Sequence, residues 1–189
     1  MIYIYGDSHA YYSFQGLPLE YTDLHCNSIT MFRIGRDGII PRFVHPHLND
    51  TLVFVYGEID CRCHIQKQSH ENSAIDTLVE NYMYTIHRHA TNRVILVAVL
   101  PPTRREEYER FHHDFPFIGT DEDRVRITKK VNARLELVSK RYGYTYFNPY
   151  AFCTRPDGTL CHEMSDTRVH LMNTTPVIQQ FLDCIDFRK

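Results

Sequence analysis

Two nearly unbroken apolar runs, Thr51-Leu52-Val53-Phe54-Val55-Tyr56 and Arg93-Val94-Ile95-Leu96-Val97-Ala98-Val99, constrain the fold more than any other feature of the chain. A strand with one face in water alternates apolar and polar residues, so runs this continuous belong to strands covered on both faces, as in a parallel sheet between two helical layers. Ile2-Tyr3-Ile4-Tyr5 reads as a shorter strand of the same kind, with further strands expected over 144–147 and 29–34. Helix-length stretches separate them, which is the pattern of a doubly wound α/β sheet.

The helices announce themselves by spacing and by their ends. Over 74–89, Ile75, Leu78, Val79, Tyr82 and Ile86 recur at three- and four-residue intervals on one stripe that reads as core. A second helix is expected from Thr120, where Thr120-x-x-Asp123 loosely imitates a capping box, to Tyr142, with Gly143 as its stop and Thr128, Val131, Leu135, Val138 and Tyr142 facing inward. A last helix should follow Asn173-Thr174-Thr175-Pro176, where N-cap residue types precede a proline tolerated in the first turn, with Val177, Phe181 and Cys184 or Ile185 inward. The exception is 104–119, where charged residues precede Tyr108, Phe111, His112, His113, Phe115 and Phe117; it reads equally as a lid over a site or as a charged surface excursion.

The 189 residues suit one domain, 1–189, without a repeat or composition break, and large enough to bury a core with no metal or disulfide. A net charge of −2 gives no bulk attraction to nucleic acid or anionic lipid, so neither is expected as a partner. No run of apolar residues is long enough to cross a membrane, and the start lacks a basic leader, so a soluble cytoplasmic protein is expected. On that basis Cys26, Cys61, Cys63, Cys153, Cys161 and Cys184 are expected to be free thiols. Cys61-Arg62-Cys63-His64 and the pairs His45/His47, His87/His89 and Cys161/His162 do not match the spacings of structural zinc sites, and no metal or cofactor is expected.

Chemistry enters at Gly6-Asp7-Ser8-His9, where a buried strand ends in a tight turn and presents a serine hydroxyl at its C-terminal mouth, the edge at which open α/β sheets bind ligands. A serine hydroxyl is a poor nucleophile until a base accepts its proton. Ser165-Asp166-Thr167-Arg168-Val169-His170 offers the base, His170, and a carboxylate, Asp166, to orient it. Serine early, acid and histidine late is the order of a hydrolytic triad.

Gly6-Asp7-Ser8-His9, Gly57-Glu58-Ile59-Asp60 and Asp166 with His170 together resemble the SGNH, or GDSL, hydrolase superfamily of esterases, lipases and carbohydrate deacetylases. The resemblance spans nearly the whole chain. It implies a three-layer α/β/α fold with a mainly parallel, flavodoxin-like sheet of about five strands, and a serine esterase acting on a small acyl group, foremost an acetyl on a carbohydrate.

The chain departs from the superfamily pattern twice. The usual Asp-x-x-His is Asp166-x-x-x-His170 here, with Thr167 where the acid is expected. The middle block of the superfamily carries Gly-x-Asn-Asp, whose asparagine donates a hydrogen bond to the oxyanion; Ile59 stands there instead and donates nothing. Loss of one such donor costs about 10²–10³ in turnover. Arg62 is the candidate replacement, as oxyanion donor or grip for an anionic sugar, and Glu58 and Asp60 are candidates to anchor sugar hydroxyls or to order the loop. The run from Gly57 to Arg62 also looks like a variant of the block in SGNH-like proteins linked to surface-glycan synthesis. The resemblance further implies that the backbone N–H of Ser8 and one in the loop after the second strand complete the oxyanion hole, with Gly35 the first candidate and Asn27–Ser28 the next. Two alternatives share the fold: a glycan O-acyltransferase using the same site, and a catalytically impaired glycan-binding or assembly module.

Overall fold

The computed structural model describes residues 1–107 and 115–185. Five strands, β1 (Ile2–Gly6), β2 (Tyr21–Asp23), β3 (Thr51–Val55), β4 (Arg93–Val97) and β5 (Thr145–Phe147), form one all-parallel sheet in the order β2-β1-β3-β4-β5. Among the described residues six α-helices accompany it: α1 (Ser8–Phe14), α2 (Met31–Asp37), α3 (Glu71–His89), α4 (Asp121–Tyr142), α5 (Tyr150–Cys153) and α6 (Thr175–Cys184). This is the three-layer α/β/α, flavodoxin-like arrangement expected.

The pleat sorts the strand residues into two cores. Ile2, Ile4, Val53, Val55, Ile95 and Val97 pack with Phe14 of α1 and Val177 and Phe181 of α6. Tyr5, Leu52, Phe54, Val94 and Leu96 pack on the other face with Met31 and Ile34 of α2 and the inner stripes of α3 and α4. Every residue of β3 is buried, which is why its sequence is apolar without alternation. Each large side chain so buried stabilises the fold by about 1.5–3 kcal/mol.

The stripe expected on the first long helix is buried in α3, which begins earlier than its apolar periodicity, at Glu71. α4 has the capping box: the Thr120 hydroxyl accepts from the Asp123 N–H and the Asp123 carboxylate accepts from the Thr120 N–H, both at 3.1 Å, and Gly143 ends the helix in left-handed backbone. α6 starts with proline in its first turn. Thr174 does not cap it as its residue type suggested; its hydroxyl donates to the Gln15 carbonyl at 3.1 Å and ties the end of α1 to the segment before α6.

One expected strand is a helix. Over 29–34 the buried residues Met31 and Ile34 are the inner face of α2, whose N-terminus is capped by the Thr30 hydroxyl accepting from the Arg33 N–H at 3.1 Å. The second strand lies earlier, in the three residues of β2 at the sheet edge, too short and too polar to carry an apolar run. Among the described residues no helix is long and apolar enough to cross a membrane.

Candidate active site

In a sheet of this order the connections leave β1 and β3 toward opposite layers, which opens a crevice at the C-terminal ends of those two neighbours. Ser8 stands at the first and the segment 57–62 at the second. The turn after β1 is tight because Gly6 has no side chain: a Cβ there would lie 2.3 Å from Ala10 Cβ and 2.5 Å from the Val55 carbonyl oxygen. Asp7 then caps α1, its carboxylate accepting from the His9 N–H at 2.9 Å, and Ser8 becomes the first helical residue.

The structure brings Ser8, His170 and Asp166 into one hydrogen-bonded chain. His170 Nε2 is 2.9 Å from Ser8 Oγ, and His170 Nδ1 is 2.9 Å from Asp166 Oδ2. The extra residue between acid and histidine is absorbed in a closed loop. Ser165 and Leu171 form an antiparallel bridge, Thr167 takes left-handed backbone at φ 61°, and the other Asp166 oxygen accepts from the N–H groups of Arg168 (2.8 Å) and His170 (3.0 Å). Thr167, at the expected acid position, donates its hydroxyl to the Asp166 carbonyl instead.

Burial, and after it the charge on nearby His9, lower the His170 pKa to about 4 despite the pull of Asp166, so the imidazole is neutral at pH 7. A neutral imidazole is the form that can accept a proton from Ser8. Burial works against the charge of Asp166, but its hydrogen bonds from His170 outweigh burial and hold the carboxyl below its ordinary value. Tyr12 stacks on His170 with ring centres 4.2 Å apart, and His9 lies on another side of that imidazole at 4.9 Å. Neither contact was drawn from the sequence. Positions three and four after Ser8 on a helix share its face, and that spacing could have pointed to Tyr11 and Tyr12.

A cleft of about 370 Å³ surrounds Ser8 and His170 and also receives Tyr11, His25, Asn27, Ser28, Glu58, Ile59 and Arg62. Glu58 and Arg62 line it but face each other: Arg62 Nε and Nη2 donate to the two Glu58 oxygens at 2.7 and 3.1 Å. Arg62 Nη1 donates to the Phe115 carbonyl at 2.5 Å, and the guanidinium lies 5.3 Å from the Phe117 ring centre. His9 Nε2 approaches Glu58 at 3.5 Å. Burial opposes the Glu58 charge, yet Arg62 and His9 together hold its pKa at about 2. Of this expected lid segment Phe115 lines the cleft; Tyr108, Phe111, His112 and His113 lie outside the described residues.

Two expected site residues are elsewhere. Gly35 is in the middle of α2, not in a loop, and a Cβ on it would come within 2.8 Å of Asn81 Cβ on α3; the glycine permits two helices to touch. The loop after β2 instead brings Asn27 and Ser28 to the cleft, Ser28 in left-handed backbone at φ 64°. Asp60 does not line the cleft; it accepts from the Met31 N–H at 2.8 Å and the Phe32 N–H at 3.4 Å, so of its two expected roles it has the ordering of backbone, at the N-terminus of α2. It borders a separate cavity of about 630 Å³ between α2 and α3 that contains neither Ser8 nor His170. Among the described residues no cluster of three or more His, Cys, Asp or Glu side chains is placed to hold a metal ion.

No family model and no curated protein sequence matches the chain. Solved structures do. A GDSL-like lipase from Bacteroides thetaiotaomicron superposes with a TM-score of 0.61 at 13% identity, over 96% of this chain and 84% of that one. The aryl esterase of M. smegmatis gives 0.57 at 12% identity, over 97% and 99%. An acetyl xylan esterase gives 0.55 at 12% identity, over 98% and 100%.

Proposed function

We propose that this chain, which has the fold of the GDSL-type hydrolases, is a serine-dependent ester hydrolase that removes a small acyl group, foremost acetyl, from a carbohydrate. The observation that carries the reading is the relay in which Ser8 Oγ, His170 and Asp166 are joined by two hydrogen bonds of 2.9 Å at the mouth of a cleft. The similarity of fold to a lipase, an aryl esterase and an acetyl xylan esterase supports it.

Ser8 Oγ attacks the ester carbonyl carbon as His170 Nε2 takes its proton, and the carbonyl oxygen becomes an oxyanion. Asp166 holds the other ring nitrogen and stabilises the imidazolium. Backbone N–H groups of Ser8 and of the 27–28 loop donate to the oxyanion in this scheme, because the Ile59 side chain has no donor and Arg62 already serves Glu58 and Phe115. Collapse expels the alcohol with the proton from His170. Water then attacks the acyl-Ser8 ester with His170 again as base, releasing the acid and restoring the serine. The small cleft, with Ile59 and Val169 as its aliphatic lining among the described residues, suits a short acyl group rather than a fatty chain.

The test is labelling by a fluorophosphonate, mapped by mass, beside Ser8→Ala. Stoichiometric modification of Ser8 and turnover of acetyl esters that disappears in Ser8→Ala are expected. Turnover that survives the substitution refutes the serine mechanism, and a folded protein that neither labels nor hydrolyses any ester is a binding module instead.

A further inference from the structure

We infer that Tyr11, with His25 beside it, is the platform on which the sugar ring of the substrate lies, so that the cleft takes a neutral pyranose on the alcohol side of the scissile ester. The inference rests on the esterase reading above and names the residues that recognise the alcohol half. It begins with helix geometry. Tyr11 is three residues after Ser8 on α1, hence on the same face and ~5 Å along the axis. A six-membered ring carrying an ester at Ser8 spans a gap of that size.

The two sides of the cleft differ in what they offer. On one, Glu58 and Arg62 are joined to each other and Arg62 also donates to the Phe115 carbonyl, so these charges are already matched within the protein. The other side presents Tyr11, 42% exposed although it is a large aromatic, with Asn27 and Ser28, both exposed and neither hydrogen-bonded through its side chain to another described residue. An aromatic face flanked by an amide and a hydroxyl matches a sugar, which has C–H faces and a hydroxyl rim. Among the described residues the cleft has only Ile59 and Val169 as aliphatic lining, too little to form the tunnel a long acyl chain would require.

The platform is held in place. Tyr11 packs edge-on against Tyr12, ring centres 5.3 Å apart, and Tyr12 in turn stacks on His170. Tyr11 also meets the His25 ring, tilted, with centres 5.2 Å apart. His25 is itself fixed: its Nδ1 is 2.8 Å from Asp23 Oδ2, its N–H donates to Asp23 Oδ1 at 3.0 Å, and its carbonyl accepts from Arg42 Nη1 at 3.0 Å. Side chains ordered before the substrate arrives lose little entropy on binding.

The experiment compares acetylated xylobiose with vinyl acetate, which carries the same acyl group on an acyclic alcohol. Tyr11→Ala should lower the ratio of kcat/KM for the sugar ester to that for vinyl acetate by about ten-fold, chiefly through KM, as expected for one lost aromatic contact. Tyr11→Phe should keep the ratio. His25→Ala, which leaves α1 intact, reads the same ratio with a smaller fall if Tyr11→Ala does not fold. A ratio unchanged in both alanine variants overturns the platform, as does a wild type that hydrolyses vinyl acetate and no sugar ester. A wild type that hydrolyses neither and does not label at Ser8 marks failure of the esterase reading beneath it.

Discussion

At the scale of the residue, the site depends on charges placed where water is scarce. His170 is most informative because its environment sets the pH at which it can act. Under the proposed mechanism its protonated form cannot accept the Ser8 proton, and a pKa lowered to about 4 from the ordinary 6.5 moves that inhibition to more acid solution. The acid limb of kcat/KM is therefore expected near pH 4, with the rate flat through the range where an exposed histidine titrates; a limb near 6.5 would show that burial and His9 do not act on His170 as described. Glu58 makes a separate expectation. Glu58→Gln removes this carboxylate from the buried Arg62 guanidinium, which should cost up to about 3–5 kcal/mol in urea unfolding at pH 7. With a folded pKa near 2 against an ordinary 4.5, the Glu58 charge contributes stability that is complete above 4.5 and lost as pH falls toward 2. The gap between wild type and variant should therefore narrow over that window, and a gap independent of pH would refute the ion pair as its source.

Among the elements, α2 shows what local reading of a sequence can and cannot extract. α3 and α4 were legible because long helices repeat their apolar stripe several times and α4 has a capping signal at each end. The seven residues of α2 repeat theirs once, and Ile29, Met31 and Ile34 then look like a strand. Its ends do carry local signals, Thr30 as N-cap and Gly38 in left-handed backbone as C-cap, but Asp60, which also accepts from its first N–H groups, comes from a segment distant in sequence. Misreading α2 also misplaced the oxyanion loop, since Gly35 counts as a loop glycine only if 29–34 is a strand. Ser8, Asp166 and His170 were legible because each sits in a short motif whose chemistry is local. Their support from Tyr12 and His9 depends on packing across elements. Gly35→Ala separates the two readings: forcing a Cβ between α2 and α3 should destabilise the protein by about 1–3 kcal/mol while the folded fraction keeps its turnover. A specific loss of kcat in a fully folded, equally stable variant would return Gly35 to the oxyanion loop.

For the molecule as a whole, the sheet divides the interior into two cores, and each contains a buried thiol: Cys61 on the side of α3 and α4, Cys153 on the side of α1 and α6. Their reaction with a thiol reagent during urea titration reports each layer separately. If the chain is one cooperative unit, Cys61 and Cys153 should become reactive together, at the concentration where helical circular dichroism is lost; exposure of one before the other would divide the molecule into layers of unequal stability. The relay bonds residues 162 positions apart, Ser8 from the first turn of the chain and His170 from the loop before α6. That separation has a consequence during synthesis. Ser8 is translated before β2 to β5 and His170 after them, so all five strands can be made while the proposed nucleophile still lacks its base. Under the proposed mechanism, the serine would become reactive only when the loop that carries His170 docks beside α1.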